Sequence, residues 1–238
     1  MKVLLTGSTG QLGKTLSVVK PNNVELIKVS SVDFNLLDYK SCEEFILSHK
    51  PDWVINAAAY TAVDKAESES ELAFEINARS PEKLAKTLLT YGGKMLYVST
   101  DFVFDGKNDK PYKFDDVHNP LSIYGKSKSL GERKCLSIGN SYILRTSWVY
   151  SPFNKNFLIT ILNLQKKFAK NNQPLRIVHD QIGSPTNTFG LANVCWLLLN
   201  KINSEKSNQK IFHWSDEGQI SWYEFARKIS LLGKEMGL

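Results

Sequence analysis

The chain opens on the apolar run KVLLT, residues 2–6, and passes at once into GSTGQLG, with glycines at 7, 10 and 13. Leu12, Leu16 and Val19 then recur at i, i+4 and i+7 until Pro21, so the order reads strand, glycine turn, helix. No other stretch limits the fold as strongly. Glycines at such a turn let the backbone approach a pyrophosphate, and the helix N-terminus behind them offers unpaired N–H groups and a favourable dipole. A tight turn with no ligand would use the same glycines, so the rest of the chain has to decide.

Beyond it, apolar runs and helical patterns alternate. Residues 24–29, 53–57, 94–99 and 141–145 read as further strands. Between them Cys42, Phe45, Ile46 and His49 mark one helix face, with His49 at the helix end, and residues 69–77 read as helical. Ser80 reads as an N-cap ahead of Pro81, with Leu84, Ala85, Leu88 and Leu89 as the stripe behind it. Phe157, Ile161, Leu164 and Phe168 repeat at helical spacing, and Ser221 with Glu224 makes a capping box for a last helix towards Leu232. The polar stretches 106–119 and 200–209 read as loops. Strands alternating with helices predict an α/β fold, a Rossmann-type doubly wound parallel sheet. Residues 1–150 are expected to form its NAD(P)-binding domain, and residues 151–238 mainly a small carboxy-terminal substrate lobe, with some segments returning to the Rossmann core.

Composition narrows the class of partner. The net charge is +6, but lysines and arginines are scattered with no run of five, which leaves a mild preference for anionic ligands and no nucleic-acid partner. Cys42, Cys135 and Cys195 form no CxxC pair and leave an odd count, as in a reducing cytoplasm, and each reads as a small buried apolar residue. No segment approaches the roughly 18 apolar residues of a membrane span, and the first apolar run is too short for a signal peptide. The expectation is a soluble, cytoplasmic protein. His49, His118, His179 and His213 are far apart in the sequence, so no metal is expected.

Near the middle stands SIYGKSK, residues 122–128. Tyr124 and Lys128, four apart, share one helical face, whereas Lys126 points elsewhere and reads as a surface charge. Two lysines could simply keep a surface helix soluble. Taken with the glycine loop, however, the pair resembles that of the extended short-chain dehydrogenase/reductases, in which Tyr-x-x-x-Lys works with a Ser or Thr at the end of the fourth strand. The match here is Thr100, in YVSTDFVF. The resemblance implies that Tyr124 gives a proton to a substrate carbonyl while NAD(P)H delivers hydride, and that Lys128 holds the nicotinamide ribose. A phenol has an ordinary pKa of about 10, and a nearby ammonium is expected to ease its proton loss. Thr100 would polarise the same carbonyl.

Further stretches narrow the resemblance. NAAAYTAVDKAES (56–68), STDFVFDG (99–106), RTSWVY (145–150), DQIGSPT (180–186) and FHWSDEGQISWYEFA (212–226) together resemble the dTDP-4-dehydrorhamnose reductase family. That implies NAD(P)H-dependent reduction of the C4 keto group of dTDP-4-dehydro-L-rhamnose to dTDP-L-rhamnose, the last step before rhamnose enters cell-surface polysaccharide. The implied cofactor residues are Gly7, Gly10, Gln11, Leu12 and Gly13, then Ser30, Asn35 and Leu36, then Ala58, Ala59 and Thr61, and finally Val98, Tyr124 and Lys128. Thr100, Asp101, Tyr124 and Trp148 are the implied substrate residues. Alanines also suit close packing, Asp101 would also cap a turn, and Trp148 would also suit a core.

Position 102 distinguishes a neighbouring activity. Related nucleotide-sugar dehydratases carry Thr-Asp-Glu, and here the third residue is Phe102, which removes the base for dehydration and favours plain reduction. Ser30 and Ser31 stand where many relatives carry an aspartate, with no arginine beside them, so NADPH is expected to be preferred and NADH used. Relatives continue past Gly237 and Leu238, and they imply a homodimer, although no stretch reads as an unmistakable interface. Two alternatives stay open: a reductase of another nucleotide-linked 4-keto sugar, and a non-catalytic dinucleotide-binding subunit, the latter opposed by the intact Thr100, Tyr124 and Lys128.

Overall fold

The computed structural model describes residues 1–170, 173–205 and 208–237. In chain order the strands and helices of the first half are β1 (Lys2–Thr6), α1 (Gln11–Val18), β2 (Glu25–Lys28), α2 (Tyr39–His49), β3 (Trp53–Asn56), α3 (Val63–Ala66), α4 (Ser70–Phe74), α5 (Ser80–Leu89), β4 (Lys94–Thr100), α6 (Ile123–Ile138) and β5 (Ser141–Thr146). There follow β6 (Val149–Tyr150), α7 (Phe157–Lys170), β7 (Ile182–Gly183), β8 (Thr186–Asn187), α8 (Thr188–Ser204), β9 (Ile211–His213), β10 (Ile220–Ser221) and α9 (Trp222–Glu235).

Six strands form one sheet in the order β2-β1-β3-β4-β5-β9, and every neighbouring pair is parallel. This is the Rossmann-type doubly wound architecture that the alternation predicts. Both faces are covered, which is why the strands are apolar on both sides. Val3 and Leu5 face α1 and α8, where they meet Leu16, Leu191, Cys195 and Leu199, while Leu4 faces α2 and α5 and meets Ile46 and Leu88. The alternation along β1 is the pleat period of two. Strand order reverses between β1 and β3, so the chain leaves those two carboxyl ends in opposite directions and a crevice opens there. A third cluster lies outside the sheet: Ile161 of α7 packs on Phe225, Ala226 and Ile229 of α9, flanked by Trp148, Tyr150 and Trp222.

Three readings differ from the structure. Ser80 is not an N-cap. A π-helical turn, Glu75–Arg79, carries α4 directly into α5, and the Ser80 hydroxyl donates to the Leu36 carbonyl instead. The turn tolerates Pro81 because the Asn77 carbonyl, which Pro81 has no N–H to reach, accepts from the Tyr97 hydroxyl at 2.6 Å. The stretch 200–209 is a loop only in part: α8 continues to Ser204 because Ile202 extends its buried stripe, and residues 206–207 lie outside the described ones. Helix α6 is not a solvated surface helix. Gly125, Ser127, Lys128, Ser129, Gly131, Glu132 and Cys135 are all buried in it, while Lys126 is exposed as expected.

Candidate active site

The crevice is a cleft of about 700 Å³. Its floor is the glycine turn. Gly7 has φ +66°, and a Cβ there would lie 2.7 Å from the Ala58 nitrogen, so the turn after β1 rests directly on the chain leaving β3. Gly13 is buried behind the turn, where a Cβ would meet the Gly7 carbonyl oxygen at 2.1 Å. It brings α1 close and does not line the cleft. Gly7, Gly10, Gln11 and Leu12 do line it. Helix α1 starts at Gly10 with no side-chain cap, which leaves its first N–H groups and positive dipole end to an anionic ligand. A dinucleotide's pyrophosphate is the group that fits this cradle.

The other expected residues surround the same space. Ser30, Asn35 and Leu36 line it beyond β2, Ala58, Ala59 and Thr61 beyond β3, and Val98 from β4. Thr100, Asp101, Tyr124, Lys128 and Trp148 line it too, so the fold joins the glycine turn to the reactive set. Tyr124 is placed by two local devices. Ser122 caps α6 by accepting from the Gly125 nitrogen at 3.1 Å, and Gly125 has no side chain because a Cβ would stand 2.2 Å from the Phe102 carbonyl. The helix start is thereby pressed onto the 3-10 turn Asp101–Val103, which Thr100 caps by accepting from the Phe102 nitrogen.

Burial governs the electrostatics. It pushes the Tyr124 phenol up to about 12, against a hydrogen bond with Thr100 that pulls it down, and with Asp101 adding to the rise. It pulls the Lys128 ammonium down to about 7, with Glu132 resisting. Lys128 is 1% exposed; its Nζ donates to the Val98 carbonyl at 2.7 Å and lies 3.9 Å from the centre of the Tyr97 ring. The expectation that Lys128 lowers the phenol is therefore corrected: the ammonium is held by β4, and desolvation raises the phenol. The Asp101 carboxyl, which accepts from the Thr100 hydroxyl at 3.0 Å, is likewise pushed up by burial, to about 6. A phenol protonated throughout the neutral range, beside a hydroxyl, can give a proton to a carbonyl set between them. The Phe102 and Tyr124 rings meet in a T-shaped contact with centres 5.5 Å apart, so no carboxylate stands at that place.

Residues 1–234 match the family model described as RmlD substrate binding domain. The chain belongs to that family. It is 41% identical over 233 residues to the dTDP-4-dehydrorhamnose reductase of Aggregatibacter actinomycetemcomitans, an alignment covering 96% of this chain and 78% of that protein. A crystal structure of a dTDP-4-dehydrorhamnose reductase from Clostridium acetobutylicum superposes with a TM-score of 0.90 at 39% identity, over 98% of this chain and 81% of the other. The Bacillus anthracis enzyme of the same name, solved in complex with NADP, gives 0.88 at 33% identity, over 98% and 81%.

Three features of this RmlD-family chain escaped the sequence reading. Asn77 is buried between two elements: its Nδ2 donates to the Tyr60 carbonyl and the Ser127 hydroxyl, both at 3.0 Å, and its Oδ1 accepts from the Tyr60 nitrogen at 2.9 Å. It ties the chain after β3 to the helix of Tyr124 and Lys128. Asn154 reaches back to the glycine turn, donating to the Thr9 carbonyl and accepting from Lys14, both at 2.7 Å. With Lys155 it lines the cleft. Arg145 of β5 is buried against Glu132 of α6, with Nη2 2.7 Å from Oε2 and Nε 3.0 Å from Oε1. Its remaining N–H groups donate to the Phe114 carbonyl at 3.1 Å and to Nε2 of His118 and His213 at 2.6 and 3.0 Å. An arginine inside the apolar strand YILRT was the visible signal; its partners, on other elements, were not.

Proposed function

We propose that this protein reduces the C4 keto group of dTDP-4-dehydro-L-rhamnose to dTDP-L-rhamnose, with NADPH as preferred reductant and NADH as a usable one. The reading rests on one observation: Thr100, Tyr124 and Lys128 line the same cleft as the uncapped, glycine-lined start of α1, in an RmlD-family chain. Gly7, Gly10, Gln11 and Leu12 would hold the pyrophosphate, residues beyond β2 and β3 the adenosine half, and Val98 and Lys128 the nicotinamide ribose. The bound cofactor supplies the hydride that adds to C4. Tyr124 donates its phenolic proton to the carbonyl oxygen as charge develops there, which completes the hydroxyl of the product. Thr100 turns its hydroxyl from Asp101 to the same oxygen and stabilises that charge. Asp101 and Trp148 form the sugar side of the cleft, and α7 with α9 forms the lobe that supports it.

Cofactor choice is read from the end of β2. Ser30 and Ser31 line the cleft and leave room for a 2'-phosphate, and no arginine stands beside them to select that phosphate strongly, so NADH stays in use. Cys42, Cys135 and Cys195 are free and buried, which suits the reducing cytoplasm.

The test is NADPH consumption by the purified protein with dTDP-4-dehydro-L-rhamnose made in situ, beside Tyr124→Phe. Turnover that the variant loses supports the reading. Tight NADPH binding without turnover sinks it, in favour of another nucleotide-linked 4-keto sugar or a non-catalytic dinucleotide-binding role. A higher kcat/KM with NADH than with NADPH would reverse the cofactor preference.

A further inference from the structure

Trp148 is held unusually for a wall of a cleft. Its backbone is left-handed, with φ +46°, a conformation that a bulky side chain adopts only when its surroundings enforce it. Two distant residues enclose its indole. The Trp222 ring lies parallel to it, with centres 3.4 Å apart and planes at 7°. Gly183 touches it as well: a Cβ at that position would fall 2.4 Å from Cε2 and 2.7 Å from Cζ2 of the indole.

Both partners are fixed by one small unit. Strands β7 and β10 pair antiparallel, with Ile220 opposite Gly183 and Ser221 opposite Ile182. Trp222 is the next residue and the first of α9, whose start is pinned by a complete capping box: Ser221 Oγ accepts from the Glu224 nitrogen at 3.1 Å, and the Glu224 carboxylate accepts from the Ser221 nitrogen at 2.9 Å. Phe157 of α7 packs on Trp222 with ring centres 4.4 Å apart. The main chain of Trp148 is tied to the same region, since its carbonyl accepts from the Thr186 nitrogen at 3.1 Å. The indole thus sits in a slot with a ring on one side and bare backbone on another.

We propose that Trp222 and Gly183 form a clamp that sets the depth and tilt of the Trp148 indole, and so act as positioning residues for the sugar of the nucleotide-sugar substrate. This rests on the reading of Trp148 as a sugar-facing wall. Without Trp222 the indole is free to leave its slot, and the wall it offers the sugar is lost. A residue that only filled the lobe's core would alter stability and leave substrate affinity alone.

The experiment compares steady-state kinetics, NADPH affinity and circular dichroism of Trp148→Ala, Trp222→Ala, Trp222→Phe and Gly183→Ala. Stacked indoles couple their transitions, so the wild type should show an exciton couplet that both tryptophan-to-alanine variants abolish. Trp222→Ala should raise KM for the nucleotide sugar about tenfold, in line with the loss of an aromatic stack, with kcat and NADPH affinity little changed. Trp222→Phe should recover most of that loss. Gly183→Ala, with both indoles present, should raise KM by displacing the ring. If Trp148→Ala leaves KM unchanged, the sugar-wall reading fails and takes the clamp with it. If Trp148→Ala raises KM while Trp222→Ala or Gly183→Ala binds substrate like the wild type, the clamp alone is overturned. Should Trp222→Ala not fold, the folded Gly183→Ala decides by the same KM comparison.

Discussion

Lys128 and Arg145 are both buried cations, 1% and 3% exposed, within one helix–strand layer, yet their company differs completely. Arg145 has a carboxylate across from it, a carbonyl, and two imidazoles, so its donors are met on every side. Lys128 has one carbonyl and the face of a ring. A guanidinium keeps its charge in any protein environment, whereas an ammonium yields when water is removed. The fold therefore uses Arg145 as framework and leaves Lys128 short of partners, facing the cleft. Glu132 joins the two, pairing with Arg145 directly and supporting the charge of Lys128 one helical turn away.

The comparison is broken most severely at Arg145. Arg145→Met strands Glu132 as a buried unpaired carboxylate, and denaturant unfolding should show a loss of about 3–5 kcal/mol. A variant as stable as the wild type would remove the framework role. Lys128→Met should do the reverse: kcat/KM falls by about a hundredfold as the bound cofactor loses its positioning, while stability at neutral pH holds or rises, because a desolvated charge is gone. A marked drop in stability would mean that Lys128 is also framework.

The next effect separates the two by pH. Lys128 falls from an ordinary value of 10.5 to about 7 on folding, so between those values the unfolded chain binds the extra proton. Stability of the cofactor-free protein should then climb as pH rises through that window, with a slope of at most about 1.4 kcal/mol for each step of one in pH, and Lys128→Met should flatten the climb. The smallest effect belongs to the histidines. His118 and His213 accept from Arg145, so both ring Nε2 atoms are bare, and His118 offers its other nitrogen to Ser129 at 2.8 Å. Burial holds both below the ordinary 6.5; Arg145 and, for His118, Arg133 add to this, while Glu132, and for His213 also Asp116, oppose it. Below about pH 6.5 the unfolded chain takes up protons that the folded one resists, so stability should decline with acid, and less steeply in a His118→Gln variant.

How much of this could be read in advance depends on reach along the chain. The Ser221–Glu224 capping box and the Tyr124–Lys128 pair lie within one helical turn, and both are as spacing predicts. Ser80 and Pro81 had the right local chemistry for a helix start and were overruled by a Tyr97 hydroxyl from β4 that satisfies the turn. Among the histidines, sequence distance concealed that His118 and His213 meet on a single arginine.

By itself the sequence determined the alternating strand and helix order, the glycine turn at the carboxyl end of β1 and the face shared by Tyr124 and Lys128. Backbone sterics and helical period act over a few residues, so these were legible. Only the tertiary structure decided which charges lose water: the low ammonium of Lys128, the high phenol of Tyr124 and the matched Arg145. It alone also brought Gly183 and Trp222 to Trp148. Desolvation and packing are set by every segment that closes over a group, and those segments come from all along the chain.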